Sequence, residues 1–242
     1  MTSFELFWLS LQPIMPPLYP RVRRELVRVT KACTRKPKIL DVGGRKSHYT
    51  IGVPADIHIT DLPRTTAVQQ LLRLGLNTDI VRQTKLRRSN VRWVLFEDMT
   101  QSSLRDATFD CVVAVEVLEH VERDAEFVRE VWRVLRPGGV FIMTTPNGDY
   151  LAPHNPDHKR HYRRQQLHDL LARHFEQVTV DYAIKGGRYR RWGLSAWSLR
   201  RPFRTVRSIV GGMMNRLESS HPAVREQARG THHLFAIARK AL

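Results

Sequence analysis

Five apolar residues run without interruption from Cys111 to Val115, and this segment constrains the fold more than any other. A strand with one face in water alternates apolar and polar residues, whereas a strand covered on both faces of a parallel sheet does not. Phe109–Val115 therefore reads as a central strand with helices on both sides. Glu116, Glu119 and His120 follow it directly. Open α/β sheets bind their ligands at the carboxyl ends of their strands, so acids and an imidazole here point to chemistry more than to packing.

The neighbouring segments supply the rest of such a sheet. Short segments at Lys38–Val42, 56–60 and 140–145, and an alternating one at Val91–Phe96 that stops at Glu97-Asp98, predict further strands. Helical periodicity is found at 19–34, 65–76, 123–135 and 163–174, and 77–90 reads as a basic connector. The glycines of Arg136-Pro137-Gly138-Gly139 are read as the stop of the preceding helix. Strand and helix alternating at this spacing predict right-handed βαβ units and a doubly wound, mostly parallel α/β sheet of the Rossmann-like kind. Two more strand candidates, 177–184 and 233–238, bracket a long basic insertion.

Composition narrows the setting. A hydrophobic fraction of 42% suffices for a proper core, and no run of about 18 apolar residues predicts a membrane-spanning helix. The first twenty residues are apolar but carry no Lys or Arg and no small-residue cleavage site, which argues against a secretory signal. Only Cys33 and Cys111 are present, so a disulfide framework is excluded and a reducing, cytoplasmic setting is expected. The formal charge of +17 favours an anionic partner: nucleic acid, an anionic membrane surface or a phosphorylated substrate. A merely solvated basic surface is the alternative.

Four acids, Asp41, Asp61, Asp98 and Glu116, each sit at the carboxyl end of a predicted strand. An acid at the end of a second strand accepts hydrogen bonds from ribose hydroxyls, and a Gly-Gly turn after the first lets backbone approach a nucleotide-like ligand. Each acid alone would also serve as a cap of the following helix or loop. Four in register favour a nucleoside site.

From Lys38 to about Phe175 the ordered blocks resemble a class I S-adenosylmethionine-dependent methyltransferase, in the group that includes the ubiquinone-biosynthesis methyltransferases. The blocks are Ile39-Leu40-Asp41-Val42-Gly43, Thr60-Asp61-Leu62, Glu97-Asp98-Met99, Phe109-Asp110 through Val121, Leu135 to Gly139, and the loop to His161-Tyr162. The resemblance implies S-adenosyl-L-methionine as cofactor. The turn at Asp41, Gly43 and Gly44 would hold its methionine part, Asp61 its ribose and Asp98 its adenine amino group. Leu62 and Met99 would flank the ring, and Glu116 would lie beside the methionyl end. It also implies a seven-stranded sheet, with an antiparallel last strand supplied by residues 234–238. One departure stands out: where the family repeats glycine after Gly43, this chain has Arg45 and Ser47. Arg45 either turns toward the cofactor carboxylate or obstructs it, which would leave a non-catalytic binding protein.

Methyl transfer from a sulfonium depends chiefly on alignment, and a hydroxyl acceptor also needs its proton removed by a base or its pKa lowered by a metal. His120, His154, His158 and His161 are candidate bases, with His161 and His120 favoured as catalytic. Glu116, Glu119 and His120 fall on one helical turn. Similar segments bind metal in some quinone O-methyltransferases and small-RNA 2′-O-methyltransferases; no metal ligand is assigned here.

The insertion holds nine Lys or Arg residues and no acid between 185 and 217. Leu199, Phe203, Val206, Ile209, Val210, Met213, Met214 and Leu217 form one apolar stripe at helical spacing. Either this stripe packs on the core, or the helix lies on an anionic membrane with Trp192 and Trp197 at the interface. The expected organisation is an apolar, lid-like segment with a basic helix (1–36), a cofactor-binding core (37–184), the basic insertion (185–230) and a final core strand (231–242). The expected activity is methyl transfer to a small-molecule, lipid or glycan-linked acceptor, on oxygen. A metal-dependent RNA 2′-O-methyltransferase is the rival, with nucleic acid a less favoured partner. Oligomeric state is not legible.

Overall fold

The computed structural model describes residues 1–63, 75–152, 155–198 and 200–242. Its seven strands are β1 (Lys38–Val42), β2 (Asp56–Asp61), β3 (Val91–Phe96), β4 (Phe109–Val115), β5 (Leu135–Pro146), β6 (Gln177–Lys185) and β7 (Thr231–Arg239). They form one sheet in the order β3-β2-β1-β4-β5-β7-β6. Every pairing from β3 through β5 is parallel, and β7 runs antiparallel to both of its neighbours. This is the expected Rossmann-like, mostly parallel sheet.

The helices explain the apolar run in β4. Helix α1 (Ser3–Leu11) and α2 (Leu18–Ala32) precede the sheet, α3 (Thr78–Arg87) precedes β3, α4 (Asp124–Val134) follows β4, and α5 (Arg164–Ala172) precedes β6. Val112 and Ala114 pack with Phe127, Val128 and Val131 of α4 and Leu167 and Leu171 of α5. Cys111 and Val113 point the other way, into a core with Leu18, Val22 and Leu26 of α2. Successive residues of β4 thus enter different cores, and neither tolerates a polar side chain.

Two sequence expectations change and a third is not tested. The basic connector at 77–90 contains α3, because the Asn77 side chain accepts from the Ile80 N–H and Lys85 and Arg87 complement the carboxyl end of the helix. Gly138 and Gly139 do not cap α4: the helix ends at Val134, Leu135 is already extended, and the glycines lie inside β5. There 136–139 bulge out, since Phe109 pairs with Leu135 and Cys111 with Val140. The helix expected at 65–76 lies outside the described residues except for its end, where Leu76 bridges Pro63.

The apolar N-terminus forms α1, capped reciprocally by Thr2 and Glu5. The buried Glu5 carboxylate also accepts from the Ser89 backbone N–H at 2.9 Å, and Trp8 stacks on His48 at 3.9 Å. Both contacts seat α1 on the loops around β1 and β3.

The insertion forms α6 (Arg188–Gly193) and α7 (Pro202–Ser220). It leaves and rejoins the sheet at one point, where Gly186 N–H donates to Gly230 O at 2.7 Å. Helix α7 does pack on the molecule, but through Ser208, Gly211, Gly212 and Asn215. The apolar stripe is on the other side, with Phe203, Val206, Val210, Met213 and Leu217 exposed. Close contact is the reason: a Cβ on Gly211 would fall 2.5 Å from the Trp192 Cβ, and one on Gly193 would fall 2.9 Å from Gly212 N. Leu199 lies outside the described residues.

Candidate active site

A cavity of about 620 Å³ opens at the carboxyl ends of β1 to β4, in the size range of ligand pockets. Gly43, Arg45, Asp61, Leu62, Asp98, Met99, Glu116 and His120 are among the residues lining it. The parallel register produces this convergence, because each acid terminates its own strand at the same edge of the sheet.

Gly43 adopts φ +67°, and a Cβ there would sit 2.8 Å from Val117 Cγ2, so only glycine keeps this wall open. Gly44 has a different duty. A Cβ on Gly44 would collide with the Asp41 carboxylate, at 2.3 Å from Cγ. Asp41 itself is turned away from the cavity and fully buried. It accepts from Tyr49 Oη at 2.9 Å, from Thr50 Oγ1 at 3.0 Å and, in a shorter contact, from Ser47 Oγ. Arg88, also buried, donates to Thr50 Oγ1 at 2.6 Å and brings positive charge to the network. Burial raises the Asp41 pKa, against the opposing hydrogen bonds from Ser47 and its neighbours and the charge of Arg88. The expectation that Asp41 and Gly44 touch a ligand is thereby corrected: they shape the turn from behind. The departure at Ser47 finds its reason here too, because a glycine would leave Asp41 without one of its donors.

Asp61 Oδ1 accepts from the Leu62 N–H at 2.9 Å, which sets the turn leaving β2. Asp98 Oδ1 holds the next turn, accepting from Thr100 N and Thr100 Oγ1, each at 2.9 Å. Met99 is buried behind it in the core that α4 covers.

Glu116 stands in the left-handed region, with φ +55°. Such a conformation in a non-glycine residue persists where its surroundings over-determine it, commonly at functional sites. Here Thr144 holds it twice: Glu116 N donates to Thr144 O at 3.0 Å, and Thr144 Oγ1 donates to the carboxylate at 2.8 Å. His233 Nδ1 lies 3.2 Å from the same carboxylate oxygen, without hydrogen-bond alignment. Burial acts to raise the Glu116 pKa, but His233 and the Thr144 hydroxyl outweigh it and the net shift is downward. His233 is the residue that sequence reasoning missed.

Beside this pair lies a second group. Glu119, His120 and His158 each offer a ligand atom, all within 4.8 Å of one another. Glu119 is buried; its Oε2 accepts from Thr145 Oγ1 at 3.1 Å while Oε1 has no partner. Burial and the nearby Glu116 charge push the Glu119 pKa well up. A carbonyl can only accept, so His120 Nδ1, 3.2 Å from Asp157 O, carries a proton, and in the neutral ring Nε2 keeps the lone pair. By the same logic His161 Nδ1 donates to Leu151 O at 3.1 Å. When His161 is neutral, its Nε2 accepts from His158 Nδ1 at 2.8 Å, leaving a lone pair on His158 Nε2 as well. His161, favoured as a catalytic base, stands behind His158 and lines a separate surface hollow with Tyr150 and Arg163, so the structure does not bring it into the main cavity. Glu116 stays outside the three-residue cluster, and His158 takes the place expected for it. His154 lies outside the described residues.

Residues 51–143 match the family model described as a methyltransferase domain. A Mycolicibacterium smegmatis protein provisionally named an S-adenosylmethionine-dependent methyltransferase is 42% identical over 79 residues, covering 31% of each chain. A ubiquinone biosynthesis O-methyltransferase of a Methylobacterium is 54% identical over 39 residues, 16% of each chain. The matched segments thus span a third or less of these curated relatives. Among solved structures, a SAM-dependent methyltransferase from Archaeoglobus fulgidus superposes with a TM-score of 0.57 at 17% identity, covering 92% of this chain and 94% of its own. That likeness extends the fold over the whole sheet. Strand order and cavity position agree with that fold, and residues 51–143 are similar to a methyltransferase domain.

Proposed function

We propose that the protein is an S-adenosylmethionine-dependent methyltransferase acting on an oxygen of a small-molecule, lipid or glycan-linked acceptor, in the cytoplasm or at its membrane face. The observation that carries this reading is the single cavity in which Asp61, Asp98 and Glu116 converge above the Gly43 turn. The residues fit the cofactor: the wall at Gly43 has no room for a Cβ, and the volume suits a nucleoside-sized ligand. In this reading Asp61 binds the ribose hydroxyls, Asp98 the adenine amino group, and Leu62 and Met99 flank the ring. The Gly43 turn and Glu116 border the methionyl end, and Arg45 sits within the same lining. The bound cofactor supplies a methyl group already activated on a sulfonium.

The protein's share is then alignment and proton removal. His120 Nε2, with its lone pair directed by the Asp157 carbonyl, takes the proton of the acceptor hydroxyl. His161 acts through His158 as a positioning residue. Glu116 and His233 hold the acceptor side of the cavity. Calorimetric titration with S-adenosylmethionine and S-adenosylhomocysteine tests the first part. Asp61→Ala is expected to weaken binding by about 10-fold or more, the loss of one charge-assisted contact. Absence of binding by the unaltered protein at high micromolar cofactor would sink the proposal. Labelled methyl transfer into lipid, glycan and RNA extracts then identifies the acceptor.

A second reading is favoured by the unpartnered Glu119 Oε1 and the two bare imidazole nitrogens beside it. Glu119, His120 and His158 would hold a divalent cation that lowers the acceptor hydroxyl's pKa. This is the form in which an RNA ribose would serve as acceptor. Activity unchanged by exhaustive chelation excludes it.

A further inference from the structure

Helix α7 is attached to the molecule by its least hydrophobic side. Ser208 Oγ donates to Ser195 O at 2.9 Å, Asn215 Nδ2 donates to Lys185 O at 2.6 Å, and Gly211 and Gly212 let the backbone of α6 approach. On the opposite side Phe203 is 90% exposed, Leu217 68% and Val206 58%, with Val210 and Met213 between them. Spacing of three and four residues puts these five on one continuous stripe. A contiguous exposed apolar stripe of this kind marks an interaction surface.

Charge identifies the partner. Arg200, Arg201, Arg204 and Arg207 lie at the amino-terminal end of the stripe, and Arg188 and Arg191 on the adjoining α6. No acid occurs between 185 and 217. Among the described residues no ion pair engages any of these six arginines. Leu194 and Trp197, in the link between α6 and α7, are also exposed. An apolar stripe flanked by arginines that carry no carboxylate partner, with a Trp and large aliphatic side chains beside it, suits a bilayer interface with anionic headgroups. No helix among the described residues is long and apolar enough to cross a membrane, so the contact is one of lying on the surface.

We propose that α7 docks the protein on an anionic lipid bilayer, with Phe203, Val206, Val210, Met213 and Leu217 entering the interface and the neighbouring arginines meeting lipid phosphates. The proposal stands apart from the methyl-transfer reading, since docking requires no bound cofactor.

The test is co-sedimentation of the full chain with vesicles of phosphatidylcholine alone and of phosphatidylcholine mixed with phosphatidylglycerol, at low and high salt. Binding is expected to the mixed vesicles only and to weaken with salt. Phe203→Ser with Leu217→Ser, and separately Arg200, Arg201, Arg204 and Arg207 all changed to Glu, are each expected to reduce it by about 10-fold or more. Thermal unfolding checks that both variants fold; the replaced side chains are all exposed. Absence of vesicle binding by the unaltered protein, or binding by either variant equal to that of the unaltered protein, overturns the proposal. So does capture by single-stranded RNA in place of vesicles, or a dimer that Phe203→Ser with Leu217→Ser converts to monomer without any lipid effect.

Discussion

Helices α4 and α7 each carry apolar residues at intervals of three and four, and they meet the rest of the molecule with opposite faces. In α4 the stripe of Phe127, Val128, Val131 and Val134 is buried. It lies on the side of the sheet where Val112, Ala114 and Phe141 project, a surface that needs apolar cover. In α7 the buried face is Ser208, Gly211, Gly212 and Asn215. What faces it is backbone: carbonyls of Ser195 and Lys185 and the peptide of Gly193. Carbonyls withdrawn from water need donors, which Ser and Asn supply and Leu cannot. Periodicity reveals that a helix has two unlike faces; the surface opposite decides which of them is covered.

Three substitutions sharpen or break this contrast. Phe127→Ala in α4 is expected to cost about 3–5 kcal/mol, the range for emptying a fully buried aromatic site. Denaturant titration reads it, and a loss below about 1 kcal/mol would mean that α4 is not cored as described. Gly211→Val, at a contact with no space for a Cβ, is expected to cost about 1–3 kcal/mol by overpacking. Limited proteolysis should then cut within 185–230 before the sheet opens; uniform loss across the chain would show the insertion to be integral to the core. Phe203→Ser is expected to change stability by no more than about 0.5 kcal/mol. A larger loss in thermal unfolding would mean that the stripe is covered within this chain.

Legibility followed the same division. The bounds of β1 and β4 were plain in sequence because two-sided burial writes an apolar run with acids at its end, and those of the edge strand β3 because alternation stops at Glu97-Asp98. The cavity edge followed from those acids, and Asp61, Leu62, Asp98, Met99 and Glu116 do line it. Asp41 looked the same in sequence as Asp61, yet it serves the interior, because Ser47, Tyr49 and Thr50 return beneath it after the turn. Such a contact is set by the path of a loop, to which periodicity is blind. His233 was missed for a topological reason. It sits next to Glu116 only because β7 inserts between β5 and β6, pairing His233 with Pro146. The cue available was a histidine at the start of the last strand, and its meaning depends on strand order. Helix α3 was hidden by its charge, although Asn77 and the basic carboxyl end are ordinary helix boundaries.

The single point at which residues 187–229 leave and rejoin the sheet makes the insertion modular. Lys185 pairs with Thr231, and the hydrogen bond from Gly186 to Gly230 closes the gap as a hairpin turn would. Loop-closure entropy grows only slowly with length, so a segment hung from such a gate burdens the sheet little. The cavity-bearing strands and the outward helix are thus separable parts of one fold, and on the docking proposal above the insertion is the part that meets the bilayer.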